Sequence, residues 1–363
     1  MRVCLNLILL FVSACLFGAC GAEGDTNFGL GDTNAVVSGT GDQLHPYLDG
    51  QTLVWFDLSL DPEGRCYGEN LDGTWDNTCL GQVRSLELST GLKHSWTEVM
   101  EGEVVPATSD GLVVWRCLES GERGLCIVAE GSSKTFRPGL GWSFNSWYVN
   151  GRPPAVDRGE VFWVGYDNEQ GGYRIMGGDL RSGEVWPILE MDEYPYELVA
   201  FGGYLAWTVG RNENGLYRYH LEMMDRASGA RTGVVDAEEQ VFGLGGYGDR
   251  LGWKQGWVDY ESEESTLHVY LRSEDGSVER VDSDESWVSA ETPVAVGSDS
   301  LIWIDYRRGG YSVAAYRDGD DAETLLSSEQ AMIGASTPPV VSGNRVVWSD
   351  RQLGDWDLVL HRL

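Results

Sequence analysis

VVSGNRVVWSDRQLGDWDLVLHRL, residues 340 to 363, carries the signals on which the fold of this chain turns. The pair Gly343-Asn344 separates two apolar runs, and both residues tolerate the positive φ of a two-residue hairpin turn. In the run Val346-Val347-Trp348, alternate side chains point to opposite sides, and both sides are apolar, so the strand is buried on both faces. The same run recurs upstream, ending at Trp55, Trp115, Trp163, Trp207, Trp253 and Trp303, at spacings of 44 to 60 residues. That period is the length of a four-stranded propeller blade.

Two residues before each Trp stands Leu53, Val113, Val161, Leu205, Leu251, Leu301 or Val346, on the same face as the indole. Turn pairs precede the run elsewhere too, at Asp110-Gly111, Gly202-Gly203 and Gly248-Asp249. Each unit therefore reads as four short antiparallel strands, and seven units close into a ring. The expected fold is all-β: a seven-bladed β-propeller of four-stranded antiparallel blades over residues 34–363. The seventh unit has its Trp strand and the strand WDLVLHRL but no outermost strand, whereas an orphan run, Asn34-Ala35-Val36-Val37, precedes the first unit. The N-terminal strand is expected to complete the last blade, which would hide an unpaired edge and tie the two ends of the ring together.

Composition agrees: 48 Gly, 15 Trp and 16 Tyr suit many short strands and tight turns. The formal net charge of −31, without a basic cluster, excludes a nucleic-acid binder, whose affinity needs cationic side chains to displace counterions from phosphates. An anionic lipid surface is excluded likewise.

The opening MRVCLNLILLFVSACLFGAC has one Arg, an apolar stretch and small residues, the pattern of a cleaved secretory signal over residues 1–20. Phe17-Gly18-Ala19-Cys20 resembles a bacterial lipobox, which implies lipid attachment at Cys20. Val12-Ser13-Ala14-Cys15 is the rival, and it would leave Leu16 and Phe17 at the new N-terminus. Residues 21–33, Gly-rich and acidic, read as a flexible tether. The expected location is the bacterial envelope, at the outer membrane, as a monomer touching lipid only through its N-terminal anchor. In that oxidising setting Cys66, Cys79, Cys117 and Cys126 suggest two local disulfides, Cys66–Cys79 and Cys117–Cys126, although four cysteines allow three connectivities. A four-thiolate zinc site lacks the C-x-x-C spacing it would need.

The motifs Trp348-Ser349-Asp350-Arg351 with Gly354-Asp355-Trp356-Asp357, and Trp303-Ile304-Asp305-Tyr306-Arg307-Arg308, resemble the TolB-type propeller repeat. There a strand is followed by an Asp, a Gly-containing turn and an aromatic-Asp pair. The resemblance spans roughly residues 35–363 as a repeat and is sharpest in the last two units. It implies fold more than function. TolB itself has an additional N-terminal α/β domain for which this chain has no room, so a Tol-system role is not carried over.

Two residues after the repeat Trp stand Asp57, Asp305 and Asp350 in units one, six and seven, neighbours once the ring closes. They form a candidate ligand or cation face, calcium being the cofactor such carboxylates would suit. The competing reading makes each Asp the cap of its own hairpin, the role the repeat gives that residue. The long first unit adds a candidate recognition loop bearing Tyr67 and Trp75, pinned if Cys66 and Cys79 are joined. His45, His94, His220, His268 and His361 fall in different units without metal-ligand spacing, and no G-x-S-x-G elbow is present. Gly243 to Gly248 matches G-x-G-x-x-G but leads into a strand, so no helix N-terminus follows to hold a pyrophosphate. Asp318 to Asp321 and Leu71 to Asn77 read as solvated hairpin tips. With no catalytic residue named, the expected function is a non-enzymatic scaffold that binds an envelope protein or glycan. The alternative is a polysaccharide- or peptide-acting hydrolase or lyase using the acidic cluster.

Overall fold

The computed structural model describes residues 34–363 except 39–41, 60–79, 98–99, 102–104, 120–121, 130–131, 137–141, 145–153, 168–170, 214–215, 259–264, 291, 308–309, 321–322, 328–332, 334–336 and 352–355. The signal, the tether, Cys15, Cys20, Cys66, Tyr67, Trp75 and Cys79 lie outside the described residues.

Seven antiparallel sheets succeed one another along the chain. Blade 1 comprises Gln43–Asp49, Thr52–Asp57, Leu80–Glu87 and Leu92–Ser95. In blades 2 to 6 the second strands are Leu112–Glu119, Glu160–Asp167, Tyr204–Glu213, Arg250–Val258 and Ser300–Asp305. Blades 1 and 3 each carry one further short strand, Met100–Glu101 and Trp142–Phe144. In blade 7, Val340–Ser342, Arg345–Asp350 and Asp357–Arg362 are joined by Asn34–Val37, with Asn34 opposite Leu360, Ala35 opposite Val359 and Val37 opposite Leu358. The orphan strand thus closes the last blade, as its position in the sequence requires.

The alternation in the Trp strand becomes the packing rule of the ring. All seven tryptophans are buried. Leu53 and Trp55 of blade 1 pack with Val347 and Leu358 of blade 7, while Val54 and Phe56, on the opposite face, pack with Val113 and Trp115 of blade 2. The pattern repeats: Val114 meets Trp163, Phe162 meets Trp207, Ala206 meets Trp253, and Ile302 meets Trp348. In blade 5 the intervening residue is Gly252, and the Trp303 cluster is filled instead from the third strand by Leu267, Val269 and Leu271. Seven hydrophobic clusters therefore seal seven blade interfaces, each removing apolar surface that a lone blade would leave in water.

The first and second strands of a blade meet in a tight turn. Asp110-Gly111, Arg158-Gly159 and Gly202-Gly203 have positive φ at both positions, the geometry that matches the twist of paired strands. These turns define one face of the ring. The second-to-third-strand hairpins and the blade-to-blade crossovers leave from the opposite face, called here the loop face.

Candidate functional site: the loop face

The three repeat aspartates end the second strands at the loop face, and all three are buried. Asp57 accepts a hydrogen bond from the Ser59 amide at 2.8 Å and pairs with Arg84 Nη1 at 3.1 Å. Asp305 accepts from the Arg307 amide at 2.9 Å, from Arg307 Nε and Nη2 at 2.8 and 2.9 Å, and from the Trp287 amide at 3.2 Å. Asp350 lies opposite Asp357 and bridges Ile333 of the preceding crossover, as Asp305 bridges Val288. Asp57 and Asp305 thus hold their hairpin turns, and Asp305 also holds the crossover beside it. Among the described residues, no group of three or more His, Cys, Asp or Glu is placed to hold a metal ion.

Around Asp305 the bonding extends into a network. Arg307 Nη1 pairs with Glu323 at 2.8 Å, and Glu323 also accepts from the hydroxyls of Ser283 and Ser286. The bond to Asp305 raises the Arg307 pKa further above its already high ordinary value. Burial pushes the Glu323 carboxyl up, but its bonds to Ser283, Ser286 and Arg307 more than offset this and hold it below the usual glutamate range. In blade 5 the buried Asp282 accepts from the Val269 amide at 2.7 Å, meets His268 Nδ1 at 3.0 Å and pairs with Arg280 at 3.2 Å. Carboxylates at these points are matched by cations and amides, an arrangement suited to shaping a surface.

Aromatic rings, in contrast, stand out from it. Trp287, in the crossover from blade 5 to blade 6, is 63% exposed; Trp257, near the end of the blade 5 Trp strand, is 54% exposed, and Tyr306 is 41% exposed. The Tyr306 amide donates to the Trp287 carbonyl at 2.8 Å, and the Tyr306 ring lies 5.2 Å from that of Tyr311. Between blades 3 and 4 a chain of half-buried rings runs from Tyr166 to Tyr173, Tyr194 and Tyr196, with centroids 5.1, 5.1 and 5.5 Å apart. None of these aromatics was singled out from the sequence. The signal available there was that Trp257 and Trp287 fall outside the repeat position, so the blade interfaces do not need them.

Gly243 to Gly248 lies in the innermost strand of blade 5 and its turn, not at a helix. Asp318 accepts from Arg250 Nη2 at 2.7 Å. Cys117 and Cys126 lie on paired strands, with Cys126 opposite Trp115 and Cys117 opposite Gly124.

No protein-family model matches the chain, and no curated protein matches its sequence. Solved structures do match in shape. The β-propeller domain of the Trilobed protease from Pyrococcus furiosus, described as having an open velcro topology, superposes with a TM-score of 0.63 at 11% identity, over 89% of this chain and 95% of that one. An acylaminoacyl peptidase from Pyrococcus horikoshii gives 0.59 at 12% identity, over 88% of this chain and 51% of that one. An oligogalacturonate lyase from Vibrio parahaemolyticus gives 0.58 at 9% identity, over 91% and 93%. The chain spans about half the length of the peptidases it matches. At these identities the likeness is one of fold: the chain is a seven-bladed β-propeller.

Proposed function

We propose that the protein is a lipoprotein of the bacterial envelope, anchored through Cys20, whose propeller works as a non-enzymatic scaffold binding a protein or glycan on its loop face. The observation that carries this reading is a division of labour on that face. The carboxylates of Asp57 and Asp305 are engaged in holding turns, Asp305 the adjoining crossover too, and pairing arginines, whereas large aromatic rings are left exposed. Exposed aromatics on a firm frame bury much area for little entropy lost, as binding surfaces do. The Cys117–Cys126 disulfide belongs to the same reading; it is supported by the disulfide-bonded state of Cys126 and by the pairing of the two strands that carry these cysteines. Tyr67 and Trp75 would extend the surface from blade 1.

The test is cross-linking in the native envelope, with mass spectrometry of what co-purifies with wild type and with a variant lacking the 66–79 loop. A reproducible partner supports the scaffold; none at any cross-linker length removes it. An enzyme using Asp57, Asp305 and Asp350 is the competing reading, and Asp57→Asn separates the two. A turn cap should lose about 0.5–2 kcal/mol of stability, by analogy with helix caps, and nothing else. A catalytic carboxylate would lose turnover of an oligosaccharide or peptide substrate with the fold intact.

A further inference from the structure

The side of blade 5 that faces blade 4 changes character along its length. Strand alternation puts Leu251, Trp253, Gln255 and Trp257 on this side, and the register pairs Trp253 with Tyr270, Gln255 with His268 and Trp257 with Thr266. Trp253 and Tyr270 pack in the interface with blade 4 and stack with ring centroids 5.7 Å apart. One step outward Gln255 and His268 are half-buried, and at the strand end Trp257 and Thr266 are exposed. The hydrophobic interface therefore stops short of Trp257, and its indole stands at the loop face among polar neighbours.

Those neighbours are held in place. Gln255 Nε2 donates to Glu239 Oε2 at 2.7 Å, and Gln255 Oε1 accepts from Trp253 Nε1 at 3.4 Å. His268 Nδ1 lies 3.0 Å from Asp282 Oδ2, so its other ring nitrogen is turned away from that carboxylate. Asp282 is itself fixed by the Val269 amide at 2.7 Å and by Arg280 Nη2 at 3.2 Å. The carboxylates are thus engaged within the protein, and a cationic ligand finds them taken. An acidic ligand is repelled by a chain of net charge −31. What remains is an indole whose negative ring face suits the C–H groups of a sugar, bordered by an amide, an imidazole and a hydroxyl that suit sugar hydroxyls.

We propose that this edge of blade 5 binds a neutral glycan. A hexose ring stacks on Trp257 while its hydroxyls bond Gln255, His268 and Thr266. The proposal rests on the scaffold reading and supplies the chemistry of the ligand.

The experiment is calorimetric titration of the full protein with maltohexaose, cellohexaose and chitohexaose, which are neutral, and with the acidic hexagalacturonate. A neutral chain should bind with an affinity that salt does not change, and hexagalacturonate should not bind. Trp257→Ala should weaken binding about tenfold at unchanged melting temperature, and Thr266→Val about threefold through the lost hydroxyl. Tyr247→Ala removes an exposed ring from the opposite face of the ring of blades and should leave binding unchanged. No binding of any neutral chain, unchanged affinity in Trp257→Ala, or a preference for hexagalacturonate overturns the proposal. A cross-linked protein partner lost in Trp257→Ala, with no glycan bound, also overturns it and gives the surface to a protein. A partner that depends on the 66–79 loop, with no glycan bound, leaves the scaffold standing and removes this site. Shortening of the bound chain confirms the site and overturns the non-enzymatic reading instead.

Discussion

Arg307 joins two carboxylates with almost no access to water: Asp305 and Glu323, whose side chains are 0% and 3% exposed. Removing its guanidinium strands both charges, and breaking a buried pair in this way costs about 3–5 kcal/mol. Arg307→Ala should therefore lower the urea midpoint sharply, with Trp287 loosened through Asp305. The network is also acid-sensitive. Because the Glu323 pKa is lowered on folding, its contribution is present above the ordinary glutamate value of 4.5 and is lost as pH falls through the lower folded value. Urea midpoints measured from about pH 6 to about pH 3 should fall, and Glu323→Gln should flatten that fall. Asp305 and Arg307 were legible together in the repeat motif. Glu323, Ser283 and Ser286 were not, since they arrive from a different strand and from a crossover that the repeat does not specify.

The glycines of blade 5 show how an element is fitted to its neighbours. The innermost strand, Gln240–Tyr247, is wedged between blades: a Cβ on Gly246 would lie 2.3 Å from the Phe201 ring of blade 4, and one on Gly245 2.2 Å from the Val294 carbonyl of blade 6. In the Trp strand a Cβ on Gly252 would meet Leu301 Cδ1 at 2.5 Å. Gly252→Val, which restores the residue most common at this repeat position, should therefore destabilise the protein, by about 1–3 kcal/mol for overpacking a filled core. A thermal melt decides the point; a rise in melting temperature would mean that the interface can relax. The G-x-G-x-x-G spelling is thus a record of close backbone approach.

Across the whole molecule, closure depends on four residues far from the rest of their sheet in sequence. Val36 and Val37 of the N-terminal strand are buried in the cluster that also holds Trp55 of blade 1 and Val347 of blade 7. Each buried valine is worth about 1.5–3 kcal/mol, and the strand also covers the edge of Asp357–Arg362. Deleting residues 34–37 should lower the melting temperature and promote self-association through the bared edge, read by light scattering; a monomeric variant of undiminished stability would show that the clasp is dispensable. If the chain is tethered through Cys20, the clasp is also where a pull on the tether would arrive.

The repeat, its strand pairing, the ring and its closing strand were all readable from one dimension, because a strand buried on both faces prints its alternation directly into the sequence and seven copies make the pattern unambiguous. The turn-capping role of Asp57 and Asp305 was readable too, since a carboxylate at the end of a strand accepts from the amide two residues on. What the folded ring alone shows is the loop face. Which aromatics are exposed and that Arg307 neutralises Glu323 depend on crossovers whose path is set by packing between blades, and contacts between distant segments carry no period that a sequence can display.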